Sequence, residues 1–340
     1  MEDNGVWIIA EQNRGDLLRV SFELLNRGRY LADRLNTSLS AVLFGSNIEE
    51  EAQELICHGA DRVFLVDDPR LEYFLAEPYG KMLCALVKKY QPGIIIGAAT
   101  CNGRTLMPYA AHKLKTGLTA DCTMLEVDEQ TGELLQTRPA IGGNIMATIK
   151  TPVARPQMAT VRPRSMRPAP RDTSRRGEIK KEHFDDRLYS SSIKYIGFIE
   201  ESKQDIPLQD ADIVVAGGKG LRRAENFKLV QELARLLGAA EGASRSVVDL
   251  GWAPYACQVG LSGKTVTPNL YLALGISGAV QHLAGMQTAE NIIAVNNDPE
   301  AQIFKVADLG IVADLFDVLP RLIEKLRERK SRERGKTDNE

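Results

Sequence analysis

Short, wholly apolar runs alternate with longer amphipathic stretches through the first third of the sequence. Strands are predicted at 6–10, 40–45, 62–66 and 94–97, and helices at 16–35, 48–58, 78–90 and 104–114. Strands that are apolar on both faces are typical of parallel sheets covered by helices on either side. The pattern therefore predicts a Rossmann-like parallel-sheet domain in the first half of the chain.

After Thr119 the pattern changes to strands without helices. Further strands are predicted at 124–127, 134–137, 145–149 and 158–161. The first two flank Asp-Glu-Gln-Thr-Gly, which is a good hairpin-turn signal. We interpret these strands as a β-rich appendage, which completes an N-terminal α/β domain spanning residues 1–190.

Residues 162–181, called the basic segment below, are rich in Arg and Pro. Its Arg-Pro pairs disfavour helix in the residue before each proline. Two interpretations stay open. The first is a nucleic-acid surface, and the second is a solvated connection between domains or a surface for an acidic partner. The segment has no aromatic residue on which a base could stack. This favours the second interpretation.

A second α/β unit is predicted at 209–330, after a linker at 191–208 and before a polar, frayed tail at 331–340. Its strands are expected at 212–216, 270–274, 292–295 and 310–313, and its helices at 225–237, from 279, and at 318–329. The expected fold class is thus α/β with two domains, the second one doubly wound.

Composition excludes several function classes. The formal net charge of -2 gives no general attraction to nucleic acid or to an anionic membrane. No apolar run approaches the roughly 20 residues of a spanning helix, and the acidic N-terminus is unlike a signal peptide, so a cytoplasmic protein is expected. The five cysteines never form a C-x-x-C pair, which argues against a disulfide framework, a zinc site and an iron–sulfur cluster. Electron transfer here would need an organic cofactor.

Glycine-rich turns follow two predicted strands of the second unit, where ligands bind in open parallel sheets. Gly217, Gly218 and Gly220 follow one strand, and Gly275 and Gly278 flank Ser277 after another. We expect Ser277 to be a helix N-cap whose neighbouring N–H groups face a pyrophosphate. Each cluster alone could also serve packing.

Three further positions have two interpretations each. Arg245 lies among small residues and could approach a flat cofactor ring, or it could form a surface salt bridge. His282 could face the ligand, or it could be a core histidine satisfied by the backbone. Asn296 and its neighbours Asn297 and Asp298 could bind ribose or adenine, or form a polar turn. No G-x-S-x-G, H-E-x-x-H or Walker motif accompanies them, which suits a site whose cofactor performs the chemistry.

Several runs of this sequence resemble the signature of electron-transfer flavoprotein alpha subunits. The resemblance lies in QVGLSGKTV (258–266), LYLALGISGAVQHLAGM (270–286) and IFKVADLGIVADLF (303–316), with agreement also at 217–221, 225–227, 242–245, 298–301, 119–121, 138–140 and 142–144. It covers nearly the whole chain.

The resemblance implies that the second domain binds FAD, with the pyrophosphate at the Gly275–Gly278 turn. It implies that Arg245 lies near the isoalloxazine, that Ser262 reaches flavin N5 and that His282 stabilises negative charge at the O2 edge. The residues expected to bind FAD are Gly220, Ser244, Arg245, Gln258, Val259, Gly260, Ser262, Gly263, Gly275, Ile276, Ser277, Gly278, Gln281, His282, Asn296 and Asp314. Ser262 stands where many relatives have threonine, which keeps the hydroxyl but loses a methyl group.

The resemblance also implies a partner, a smaller beta subunit. The first domain would pack on it, while the flavin domain swivels about the 191–208 hinge. Two types stay open: a simple carrier of electrons from acyl-CoA dehydrogenases with AMP in the beta subunit, or a bifurcating, NADH-oxidising type with a second FAD there. The stretches 138–149 and 155–158 resemble bifurcating versions. No metal, nucleic acid or membrane insertion is expected.

Two rival functions make different predictions. A nucleotide-dependent dehydrogenase requires G-x-G-x-x-G after the first strand, and residues 10–15 lack it. A non-redox adenine-nucleotide-binding protein leaves Arg245, Ser262 and His282 without a role. Bound flavin would distinguish both rivals from a flavoprotein.

Overall fold

The computed structural model describes residues 4–140, 145–197, 207–209 and 211–337, with side chains as far as residue 330. The chain divides into two compact units, Met1–Gly197 and Phe198–Glu340, which are taken separately below. Three parts named in the sequence analysis lie outside the described residues: 142–144, most of the linker (198–206) and the end of the tail (338–340).

The first unit contains twelve strands and five helices among its described residues. The strands are β1 (Val6–Ile9), β2 (Gln12–Asn13), β3 (Asp16–Leu17), β4 (Leu39–Gly45), β5 (Arg62–Asp67), β6 (Ile94–Ala98), β7 (Leu118–Cys122), β8 (Met124–Val127), β9 (Leu134–Pro139), β10 (Met146–Ile149), β11 (Gln157–Val161) and β12 (Glu178–Lys181). The helices are α1 (Arg19–Leu35), α2 (Glu49–Cys57), α3 (Ala76–Tyr90), α4 (Cys101–Leu114) and α5 (Asp186–Tyr189).

Seven of these strands form one parallel sheet in the order β12-β5-β4-β1-β6-β11-β7. Alternate side chains of β1 enter separate apolar cores on the two faces, with Ile8 in one core and Trp7 in the other. Both residues are fully buried. The predicted parallel sheet covered on both faces is therefore confirmed.

The predicted extent of the β-rich appendage was wrong. The strand expected at 158–161 is β11, and it lies inside the parallel sheet between β6 and β7. All five of its residues are buried, as a central strand requires. The appendage itself is a separate antiparallel sheet of β8, β9 and β10. The strand pattern alone does not specify the partner of so short a strand, because pairing is decided by long-range burial.

The basic segment is part of the first unit and does not connect the two units. Arg162 pairs with Asp121 at 2.7 Å, and Arg171 pairs with Glu54 at 2.7 Å. The end of the segment forms β12, which adds to the sheet beside β5. Arg162 and Arg171 are thus paired with acidic residues of the same unit, which the linear sequence does not reveal.

The first residues expected in the linker also belong to this unit. The ring of Tyr195 stacks on that of Tyr73 with centroids 3.8 Å apart. The backbone N–H of Ser192 donates to the carboxylate of Glu77 at 2.9 Å. Ser192 and Tyr195 therefore contact α3 and the loop before it.

The second unit has five strands and four helices among its described residues. They are β13 (Ile213–Gly217), α6 (Phe227–Leu237), β14 (Ala240–Ala243), α7 (Arg245–Asp249), β15 (Leu270–Leu274), α8 (Val280–Leu283), β16 (Asn291–Asn296), β17 (Leu309–Val312) and α9 (Leu315–Thr337). All five strands are parallel, in the order β14-β13-β15-β16-β17.

Two elements of this unit differ from expectation. β14 was missed, because its sequence Ala-Glu-Gly-Ala lacks the β-branched and aromatic residues that mark strands. The polar tail was expected to be frayed from 331, whereas α9 continues to Thr337. Over the described part of the chain, no helix combines the length and apolar character needed to cross a bilayer.

Candidate functional site

The loops that follow β13, β14, β15 and β16 surround a cavity of about 660 Å³ at the carboxyl ends of the second sheet. The strand order reverses between β13 and β15, and such switch points are where open α/β sheets bind ligands. The lining residues are Lys219, Gly220, Ser244, Arg245, Ser246, Asp249, Val259, Gly260, Leu261, Ser262, Gly275, Ile276, Ser277, Gly278, Ala279, Gln281, His282, Asn296 and Asn297. Every residue of the sequence-predicted site is among them except Gln258, Gly263 and Asp314.

The turn after β15 presents free backbone donors to the cavity. Gly275 and Gly278 have φ of 64° and 82°, a left-handed conformation that favours glycine. Within the described residues, the N–H groups of Ile276, Ser277 and Gly278 have no hydrogen-bond partner. Consecutive free N–H groups form a concave site for anions.

Ser277 is not the helix N-cap that the sequence predicted. The helix α8 begins at Val280, and the residue before it is Ala279. The carbonyl of Ser277 instead accepts a hydrogen bond from the N–H of Ile303 at 3.1 Å. This contact with a distant part of the chain holds the turn in a loop conformation, so the donors belong to a loop and not to a helix end.

Asn296 holds this turn from the neighbouring strand. Its Nδ2 donates to the carbonyl of Ile276 at 2.9 Å, and its Oδ1 accepts from the N–H of Asp298 at 3.0 Å. The side chain is buried. Both ends of the amide thus have protein partners, which fix the Ile276 carbonyl beside the cavity.

The glycines after β13 allow two loops to pack tightly. A Cβ on Gly218 would lie 2.2 Å from the carbonyl oxygen of Gly275, and one on Gly220 would lie 2.7 Å from its Cα. No side chain fits in that space, so the loop after β13 lies directly against the turn after β15. The positive charge of Lys219 is thereby placed at the cavity wall.

Arg245 begins α7 and lines the cavity together with Asp249. Its Nε is 3.4 Å from the Asp249 carboxylate, and the Arg245 side chain is 69% exposed. An ion pair this exposed contributes only about 0–1 kcal/mol to stability, so the guanidinium can exchange partners at little cost. Both interpretations of Arg245 thus describe one side chain, which lies at the cavity and also pairs on the surface.

The loop 258–264 carries Ser262 into the site. The N–H of Leu261 donates to the Gln281 carbonyl at 2.7 Å, which ties the loop to α8. Gln258 lies behind the cavity wall, and its Nε2 donates to the Ser262 hydroxyl at 3.2 Å. A Cβ on Gly263 would lie 2.4 Å from the Gln258 carbonyl, so this glycine serves the turn. In this geometry Gln258 and Gly263 support the site from outside its lining.

Both ring nitrogens of His282 have protein partners. Nδ1 is 3.1 Å from the Val259 carbonyl, and Nε2 is 3.1 Å from the Tyr271 hydroxyl. Burial lowers the pKa of His282 to about 4, against the opposing effect of the Val259 carbonyl. The ring is therefore neutral at physiological pH, and it is at once a satisfied core histidine and a cavity residue.

Asp314 lies outside the cavity lining. It caps α9 by accepting a hydrogen bond from the N–H of Phe316 at 3.0 Å, and it pairs with Arg222 at 2.6 Å. The Phe316 N–H, and after it Arg222, lower the pKa of the Asp314 carboxyl. The guanidinium of Arg222 also lies 4.9 Å from the centre of the Phe316 ring.

Five lining residues were not candidates in the sequence analysis: Lys219, Ser246, Asp249, Leu261 and Ala279. Each is a chain neighbour of a predicted residue or lies one helical turn from one. Extending the predicted set along each loop would have found most of them. Asp249 faces the cavity only because α7 is helical, which no motif indicated.

The arrangement is suited to binding an anionic cofactor. Free N–H groups and Lys219 attract negative charge, Arg245 can reach a flat ring, and Ser262 offers a hydroxyl. No cluster of three or more metal-ligating side chains occurs among the described residues. These groups bind and orient a ligand, and its reactive chemistry would come from that ligand.

Comparison with known proteins agrees with this geometry. Residues 6–187 match the family model of the electron transfer flavoprotein domain, and residues 207–287 match that of the electron transfer flavoprotein FAD-binding domain. The electron transfer flavoprotein subunit alpha of Thermoanaerobacterium thermosaccharolyticum is 50% identical over 96% of this chain and 98% of its own length.

Two further relatives have more specific names. One is the lactate dehydrogenase (NAD(+),ferredoxin) subunit LctC of Acetobacterium woodii, which is 41% identical over 94% of this chain and 76% of its own length. The other is the acryloyl-CoA reductase electron transfer subunit beta of Anaerotignum propionicum, which is 40% identical over 96% of each chain.

Proposed function

The chain belongs to the electron transfer flavoprotein alpha subunit family, with a flavin-binding second unit, and we propose that it carries one FAD in the cavity of that unit. The observation that carries this proposal is the group of free N–H donors at Ile276, Ser277 and Gly278, with Lys219 lining the same cavity. The diphosphate of FAD would use these donors and the lysine charge. A cavity of about 660 Å³ is of the size that cofactor sites have.

The remaining predicted residues supply the flavin end of this site. Arg245 would lie beside the isoalloxazine, where its charge favours the negatively charged reduced ring. The Ser262 hydroxyl, held by Gln258, would be a hydrogen-bond donor to flavin N5. Gly220, Ser244, Val259, Gly260 and Gln281 line the space between these ends. FAD supplies one- and two-electron chemistry when bound, and this chain supplies its position and electrostatic surroundings.

Two predicted residues act differently in this proposal. Asn296 shapes the turn through the Ile276 carbonyl, so its contact with the cofactor is indirect. Asp314 would reach an adenosine ribose only after its carboxylate leaves Arg222 or accepts a second donor. The contact between Asp314 and the ribose is therefore the weakest of the proposed set.

We further propose that a beta subunit completes the functional protein. In the simple case that subunit carries AMP, and the heterodimer takes electrons from a dehydrogenase of the acyl-CoA type. In the second case it carries another FAD, and the heterodimer oxidises NADH and divides the electrons between two acceptors. The name of the relative from Acetobacterium woodii includes NAD(+) and ferredoxin, which favours the second case.

One experiment separates these cases. The chain is co-expressed with its beta subunit, and the released flavin and AMP are counted per heterodimer beside the absorption spectrum. One FAD with one AMP supports simple carriage, whereas two FAD with bleaching by NADH support bifurcation. AMP without flavin supports the non-redox alternative. A folded heterodimer without any flavin would contradict the proposal.

A further inference from the structure

Tyr271 is a buried polar residue that the proposed FAD contacts do not use. It is the second residue of β15 (Leu-Tyr-Leu-Ala-Leu), and its side chain is fully buried in the centre of the second sheet. A tyrosine hydroxyl in such a place needs a hydrogen-bond partner. That partner is Nε2 of His282, at 3.1 Å.

The direction of each hydrogen bond follows from the donors and acceptors present. The Val259 carbonyl can only accept, so Nδ1 of His282 carries the proton of that contact. In the neutral ring Nε2 then has a lone pair and must accept, so the Tyr271 hydroxyl donates to it. The tautomer of His282 is thus set by two groups, one from the 258–264 loop and one from β15.

The same contacts also suit a positively charged ring. If Nε2 gains a proton, the Tyr271 oxygen can accept it after rotation of the hydroxyl, while the Val259 carbonyl keeps the Nδ1 proton. Both N–H groups of the imidazolium would then have acceptors inside the protein. A phenylalanine at 271 would leave a buried N–H without a partner, which is costly for a charged group.

We infer that Tyr271 is a positioning residue for His282: its hydroxyl holds the imidazole at the cavity wall, donates to the neutral ring and accepts from the ring when Nε2 is protonated. This inference rests on the proposed function, because the negative charge that favours protonation is that of reduced FAD. Each electron that reaches FAD adds one negative charge, and one proton from water on Nε2 balances it. The other charged side chains that line this cavity are Lys219, Arg245 and Asp249.

The first measurement needs no FAD and no change at Tyr271. Histidine in the heterodimer is labelled with ¹⁵N, and the ring signals of His282 are identified by their loss in His282→Gln. The chain has only four histidines, so the assignment is tractable. We expect a protonated Nδ1 and an unprotonated, hydrogen-bonded Nε2 between pH 6 and 8. A protonated Nε2 in the cofactor-free heterodimer would overturn the inference.

The second measurement is the potential for the first electron in Tyr271→Phe. A hydrogen bond to a charged group is stronger than one between neutral groups. We therefore expect reduced FAD to be stabilised about tenfold less in the variant. His282→Gln should have a similar effect, and the double variant should be no worse than His282→Gln alone. An unchanged potential, or effects that add fully, would overturn the inference.

Tyr79→Phe is the matched control. Tyr79 is also buried, and its hydroxyl also donates a hydrogen bond, to the Leu71 carbonyl at 2.8 Å in the first unit. This variant should lose stability without any change in flavin potential. A heterodimer that binds no FAD would contradict the proposed function, whereas the ring signals would still test the contact between Tyr271 and His282.

Discussion

Each unit has a parallel sheet with a switch point, yet the two sheets differ at their carboxyl ends. In the first unit the space beside the ends of β1 and β6 is a cavity of about 30 Å³, which has room for little more than one water molecule. In the second unit the corresponding space is about 660 Å³. The same topology therefore produces a small cavity in one unit and a large one in the other.

Side chains account for this difference. Glu11 follows β1, is buried and accepts hydrogen bonds from the Thr100 hydroxyl at 2.7 and 2.8 Å. Thr100 caps α4 by accepting from the Gly103 N–H at 3.0 Å. A carboxyl group thus lies at the helix end, where this fold otherwise binds phosphate. In the second unit, glycines and free N–H groups occupy the corresponding loops after β13 and β15.

Gly278→Val should abolish FAD binding in the cavity of the second unit. The φ of 82° strains a β-branched residue, and its Cβ would lie 2.3 Å from the Ile303 nitrogen. The turn must then move, and we expect the affinity for FAD to fall by more than about a hundredfold. Flavin released per heterodimer measures this loss.

The control for this change is Gly238→Val. Gly238 also has a positive φ (63°), but a Cβ added there would meet no atom within 4 Å, and the residue ends α6 away from the cavity lining. This variant should lose stability and keep its FAD. Full flavin occupancy in Gly278→Val would show that the diphosphate turn is elsewhere.

Glu11→Gln should change how the stability of the first unit depends on pH. Burial raises the pKa of Glu11 to about 7, against the lowering effect of the Thr100 hydroxyl. The folded protein thus holds a proton that the unfolded chain releases near pH 4.5. The resulting stability is complete below pH 4.5 and is lost as pH rises through 7, with a total of about 3 kcal/mol.

Glutamine does not titrate, so this loss should disappear in the variant. This loss of stability is measured by denaturant unfolding at pH 5 and pH 8 in a Trp252→Phe background. The signal is then the fluorescence of Trp7, which is fully buried in the first unit. If Glu11→Gln and the unchanged protein show the same pH dependence, Glu11 is ionised in the crevice. The explanation of the small first cavity by a buried, neutral Glu11 side chain would then be wrong.

Arg245→Ala should alter the flavin without removing it. Loss of one exposed positive charge beside the ring should destabilise the negatively charged reduced form about tenfold, which is ~59 mV for one electron. The redox titration of the heterodimer measures this shift. Arg235→Ala, on α6 and away from the cavity lining, is the control and should leave the potential unchanged. An equal potential in Arg245→Ala would remove the proposed role.

Asp314→Ser should have the smallest effect of these four substitutions. Serine keeps the cap of α9, whereas alanine would lose about 1 kcal/mol of stability with it. Because the charge is lost but the cap remains, a change in FAD affinity measures the ribose role alone. We expect a decrease of about threefold to tenfold by equilibrium flavin binding. An unchanged affinity in Asp314→Ser, with reduced stability in Asp314→Ala, would show that the residue is only a helix cap.

Much of the site could be predicted from the sequence because it lies in short runs after strands. Gly275–Gly278, Gly220 and Ser244 each follow a predicted or actual strand end, and parallel strands bring such ends together. Gln258 was placed in the cofactor site because it belongs to the same run as Ser262. Whether a residue of that run lines the cavity or supports it depends on the turn, which only the structure shows.

The alternation of apolar runs and helical stretches by itself determined the fold class and the position of the glycine turns, because both depend on neighbouring residues. It could not determine which strands pair, so β11 was assigned to the wrong sheet and the basic segment to a connection between domains. Only the tertiary structure brought Tyr271 and Val259 to the two nitrogens of His282 and Glu11 to Thr100. These contacts join residues that are distant in the chain, and long-range burial decides them where local periodicity cannot.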